Sequence, residues 1–121
     1  MLYTMDGKPM MKIPHRKEYD YWMTKIKPAE YDAIVDVIND YIDEKIQNGM
    51  QPVTAGWIPG TDWIGTVYEP LYHAAGKSVL HAGFFFGIIV FDIMMNRSEK
   101  WVCGRFSNNG KEIASLTYFV V

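Results

Sequence analysis

Residues 78–96, SVLHAGFFFGIIVFDIMMN, form the most apolar stretch of the chain; between Phe84 and Met95 only Gly87 and Asp92 interrupt the large hydrophobic side chains. That density predicts one long helix, with Ser78 as its amino-terminal cap, around which the rest of the chain packs. The apolar centre is shorter than the ~20 residues a membrane span needs, and Asp92 near its end adds roughly 3 kcal/mol at mid-bilayer, so a core helix is expected. At 100° per residue Ser78, His81, Phe85, Ile88, Asp92, Met95 and Asn96 fall on one side, with Val79, Phe86, Val90 and Met94 roughly opposite. Phe85, Ile88 and Met95 therefore make an apolar strip within a polar edge. Either the N-terminal segment with Tyr19, Trp22 and Met23 covers this strip, or another subunit does, which makes it the candidate interface. Gly83 and Gly87, one turn apart, permit close approach by a neighbour.

Residues 28–48 carry the clearest helical pattern. Tyr31, Ile34, Val35, Ile38, Tyr41, Ile42 and Ile46 make one stripe, while Asp32, Asp36, Asp40, Asp43 and Glu44 occupy the other faces as a solvated surface. Pro28 suits the first helical position, Glu30 the positively polarised first turn, and Gly49 a left-handed cap. Upstream, Tyr19, Trp22, Met23 and Ile26 recur at helical spacing within residues 15–26, and residues 1–14 read as an irregular arm or short edge strand. Residues 50–57 predict a short strand and residues 69–73 a short helix ending at Gly76. At the C-terminus, residues 101–107 and 112–120 flank Asn108-Asn109-Gly110-Lys111, a hairpin signal because Asn and Gly tolerate positive φ. The expected fold is a single α+β domain over residues 1–121, two or three helices packed with a small antiparallel sheet that includes this hairpin.

Composition changes that picture little. The 121 residues are 49% hydrophobic and 21% charged, which suits one folded domain and excludes a disordered chain. An aromatic share of 15% supplies large contact area for a core, pocket or interface. The single Cys103 cannot form an internal disulfide and the first residues lack an export pattern, so a cytoplasmic location is expected. Net charge is −2, unevenly spread: residues 28–75 carry eight acids against one Lys, and both flanks are net positive. A polyanion would have to use the two ends and avoid the middle.

Candidate chemistry is sparse. No HExxH, CxxC, GxSxG, P-loop or GxGxxG pattern occurs, and no cofactor or metal is expected. Glu69 and His73 stand four apart on the short predicted helix, and with Asp62 they are the residues an enzyme would use; Cys103 is a nucleophile only if a histidine folds against it. The loop over residues 57–66 is the better candidate. Trp57 and Trp63 flank the Pro59-Gly60 turn beside Asp62, and aromatic faces with a few polar groups are the ingredients of a small-ligand or partner site. Trp57, Asp62, Trp63, Glu69 and His73 are thus the candidate ligand-binding residues.

The element order helix (28–48), strand, helix, helix (78–96), hairpin resembles that of winged-helix DNA-binding domains, with Arg105, Asn108, Asn109, Gly110 and Lys111 at the wing. That resemblance is topological and implies nucleic-acid binding. The residues argue otherwise, since the helix that would enter the major groove offers Phe84, Phe85, Phe86 and Ile88 in place of basic side chains. The reading that results is a small, non-enzymatic binding or interaction module able to self-associate. A winged-helix nucleic-acid binder is the first alternative and a small enzyme using Asp62, Glu69 and His73 the second. A protein partner or a second copy is favoured over nucleic acid; no membrane partner is expected, and a small ligand at the aromatic loop remains open.

Overall fold

A computed structural model describes residues 1–49, 53–54, 63–104, 107–108, 111–112 and 116–121. Along the chain these form β1 (Leu2–Tyr3), α1 (Arg16–Met23), α2 (Pro28–Gln47), β2 (Val53–Thr54), α3 (Glu69–Ala74), α4 (Val79–Asn96), β3 (Trp101–Gly104), β4 (Ser107–Asn108), β5 (Lys111–Glu112) and β6 (Thr117–Val120). The fold is α+β, as the alternation of periodicities predicts.

α4 is the centre of it. Ser78 caps its amino end by accepting from the His81 backbone N–H at 3.2 Å, and nine of its side chains are buried against α1, α2, α3 and β1. By length and composition alone Val79–Asn96 could cross a membrane, but half of it is buried inside the fold, as in the core helix of a folded domain. α2 lays Ile34, Ile38 and Ile42 into the core as a single stripe and keeps its acids outside. Its first turn is fixed by Pro28 and by the Glu30 carboxylate, which accepts from the Lys27 backbone N–H at 3.0 Å. Gly49 follows with φ 63°, the left-handed conformation expected of a helix stop.

The main sheet has the order β1-β3-β6-β2. β3 and β6 are antiparallel with Trp101 opposite Val120 and Gly104 opposite Thr117, which is the base of the predicted C-terminal hairpin. β4 and β5 form a separate two-stranded sheet that pairs Ser107 with Glu112 and Asn108 with Lys111 beside the predicted turn, whose Asn109 and Gly110 lie outside the described residues. β2 adds antiparallel to β6, and β1 adds parallel to β3 with Leu2 opposite Trp101. Trp101, Cys103, Thr117 and Tyr118 are buried where the sheet meets the core.

The residues before α1 are more ordered than an arm. The Thr4 backbone N–H donates to Lys8 O at 2.8 Å and Met10 N–H to Leu2 O at 2.8 Å, folding the segment back on itself across Gly7 at φ 86°. Leu2 is buried as part of the core.

The sheet and α2 are tied together at Arg97, whose side chain is 12% exposed. It donates to Asn39 Oδ1 at 2.7 Å and to Glu99 at 2.8 and 3.0 Å, and it pairs with Asp43. Trp101 Nε1 adds a 3.2 Å hydrogen bond to the same Glu99 carboxylate. Burial opposes the Arg97 charge, but the Glu99 and Asp43 carboxylates outweigh it and hold the guanidinium firmly protonated.

Candidate functional site

Of the five candidate ligand residues, Trp57 and Asp62 lie outside the described residues. Trp63 is buried and meets Phe86 of α4 edge-on, with ring centroids 6.3 Å apart. Its backbone carbonyl accepts from Thr66 Oγ1 at 2.7 Å, which closes the turn into α3. Glu69 and His73 meet at 3.1 Å on an exposed face of α3, where Glu69 also accepts from the Gly65 backbone N–H at 2.7 Å. The Gly65 bond, then His73, hold the Glu69 carboxyl below its ordinary range. Glu69 thereby ties the turn to the helix. The loop and helix are linked, but Trp63 serves the core while Glu69 and His73 face solvent.

Cys103 is buried, with its Sγ 3.4 Å from Met10 Sδ, and burial pushes its thiol up in pKa, away from the thiolate a nucleophile needs. No group of three or more His, Cys, Asp or Glu is placed to hold a metal among the described residues.

The candidate interface is corrected. Phe85 is fully buried and Ile88 is 4% exposed, so neither forms an open strip; Met95 is half-buried. Of the two covers the sequence leaves open, the chain supplies its own: Trp22 of α1 lies over Phe85 at 5.4 Å between centroids, and Tyr19 meets the same ring edge-on at 6.1 Å. The physical reason is that the Tyr19 and Trp22 rings of α1 are more stable buried against Phe85 than wet.

The exposed apolar surface is on another side of the same helix. Val79, Leu80 and Phe84 are 61%, 64% and 56% exposed, and Gly83 is open beside them. At helical spacing Leu80 precedes Gly83 and Phe84 by one turn, and Gly87 continues that row by another. A methyl group added at Gly83 or Gly87 would meet nothing within 4 Å, so neither glycine is needed for packing with the described residues. Glycine inside a helix costs about 1 kcal/mol relative to alanine, and here two of them sit in the first three turns. From residue 79 to residue 91 there is no Asp, Glu, Lys or Arg. His81 borders the patch, its ring 6.3 Å from Phe84 and 6.1 Å from Trp22.

The result is a bare, uncharged helix face with large side chains next to a notch. Helical phase could have found it in the sequence, through the i, i+3, i+4 row of Leu80, Gly83, Phe84 and Gly87; what hid it was that α4 is apolar on every side. No family model, curated protein or solved structure matches this chain.

Proposed function

We propose that this chain is a small, non-enzymatic interaction module of the cytoplasm that self-associates through the outward face of the first turns of α4. The observation that carries the reading is the exposure of Val79, Leu80 and Phe84 beside Gly83 and Gly87, with no charge along that part of the helix. Water-exposed hydrophobes grouped in this way mark a surface that is covered in use, and the core of an interface is depleted of charged side chains.

A second copy is the partner that fits, because the face carries both halves of one contact. Phe84 is a projecting ring and the Gly83–Gly87 row is a recess. A two-fold axis lets the ring of each copy enter the recess of the other, which is the self-complementarity that an isologous dimer requires. Without Cβ atoms in the recess the two helices can approach more closely than the usual 8–10 Å between axes. Two helical turns offer less than the roughly 800 Å² per partner of a standard interface, so the dimer is reversible and concentration-dependent.

Sedimentation equilibrium tests this. The wild-type chain is expected to shift from its 14.0 kDa monomer toward twice that mass as concentration rises, and Phe84→Glu to remain monomeric with an unchanged fold. A wild-type chain that stays monomeric to millimolar concentration would refute self-association. Equal dimerisation by Phe84→Glu would refute this face.

A further inference from the structure

Away from that face, at the carboxyl end of α4, a groove of about 260 Å³ opens between α4 and α2. It is lined by the apolar Val35 from α2 and Ile93 from α4 and by the polar Tyr31, Asn39, Asp92, Asn96 and Arg97. Its two charged residues, Asp92 and Arg97, are not paired with each other. Asp92 is the only Asp, Glu, Lys or Arg within Val79–Asn96, and it is half-buried. Among the described residues it enters no ion pair; its partner is Asn96, whose Nδ2 donates to Asp92 Oδ1 at 3.2 Å and to the Asp92 backbone carbonyl at 2.8 Å.

The one cation that lines the groove is already engaged. All three nitrogens of Arg97 donate within the fold, to Asn39, Asp43 and Glu99, so it faces two carboxylates of its own. Arg97 therefore does not make the groove an anion site, and among the described residues Asp92 is left without a counter-ion. A half-buried carboxylate that shares a groove with apolar side chains is complemented by a cation with an aliphatic body. The Tyr31 hydroxyl stands 3.0 Å from that of Tyr19, and burial, then Tyr19, keep its phenol protonated, so its oxygen adds an acceptor and no charge.

We infer that this groove binds a small aliphatic ammonium, with Asp92 as its counter-ion and Val35 and Ile93 against its chain. Taking water's ~30 Å³ share of the liquid as a unit, the space matches about nine non-hydrogen atoms. A free amine and a lysine side chain present the same chemistry. The inference does not rest on self-association, since the Phe84→Glu variant retains the groove.

Amide NMR titrations of the Phe84→Glu chain with n-pentylammonium, pentanol and pentanoate test it. Pentylammonium is expected to give saturable shifts at Val35, Asp92 and Ile93, with pentanol and pentanoate weaker by about tenfold or more, as for loss of a charge-assisted contact. Asp92→Asn should lose the same factor, while Asp36→Asn, on the exposed face of α2, should bind within about twofold of the parent. Nα-acetyl-lysine methylamide separates the sources: tighter binding than pentylammonium identifies a peptide lysine, weaker binding a free amine. Unsaturable shifts, or equal affinity for pentanol, would overturn the inference on the parent chain alone, whatever Asp92→Asn does to folding. Undiminished binding by a folded Asp92→Asn would overturn it as well.

Discussion

The indole of Trp22 lies 5.4 Å from the ring of Phe85, tilted by 38°, and this contact joins α1 to the central helix. It covers one side of α4. Trp22→Ala removes most of a side chain that is nine-tenths buried, and a loss of about 3–5 kcal/mol is expected for such a truncation. Chemical denaturation measures it. A loss below about 1 kcal/mol would mean that α1 is not what covers Phe85.

Arg97 holds α2 to the turn between α4 and β3, and its removal should leave Asp43 and Glu99 facing each other without a cation. Arg97→Ala is expected to cost roughly 2 kcal/mol, the scale of hydrogen bonds to charged groups discounted for partial exposure. A variant as stable as the wild type would show the network to be ornamental.

Acid should act through the same place. Arg97, with Trp101 adding to it, holds the Glu99 carboxyl below its ordinary value of 4.5, and Gly65 and His73 do the same for Glu69. A carboxyl whose pKa is lowered by folding contributes stability that is fully present above the unfolded value and lost as pH falls through the folded one. Stability measured from pH 7 downward should therefore hold until about 4.5 and fall below it. Glu99→Gln should be less stable at neutral pH and show a shallower fall. An identical acid slope in that variant would remove Glu99 from the account.

Gly83→Ala separates the two things a glycine can do in α4. The added methyl meets open space within the chain, so the monomer should gain about 1 kcal/mol from helix propensity. The same methyl partly fills the recess, so dimerisation should weaken. Denaturation of the Phe84→Glu background reads the first effect, and sedimentation of the Phe84 chain reads the second. Gains in both would argue that the recess is not occupied.

How far the sequence carried this picture differs between elements. α2 was legible in full, because its isoleucines and aspartates alternate on a clear helical period with Pro28 and Gly49 at the ends. The β3–β6 pairing followed from a turn signal between two alternating runs. β1 was legible only as one of two options, since a two-residue strand that pairs with Trp101 and Val102 depends on a contact about a hundred positions away. α4 was recognised as a helix but not oriented. Its few polar residues, Ser78, His81 and Asp92, sit toward its ends, and the apolar members between them are core where α1, α2, α3 and β1 arrive and open where none of these does. Periodicity gives the phase of such a helix and leaves the choice of buried side to tertiary contacts. For the candidate site, Glu69 and His73 were read correctly as neighbours one turn apart, while Trp63 turned inward to Phe86 because an indole next to a phenylalanine core is more stable dry.

The most direct measurement is an isotope-filtered NOE spectrum on an equal mixture of labelled and unlabelled chains. It detects only contacts between copies. Cross-peaks from the Phe84 ring of one copy to the Gly83 Hα and Leu80 methyl protons of the other are the expected result. A filtered spectrum empty of these at millimolar concentration, or one with contacts between copies confined to other faces, would contradict self-association through α4.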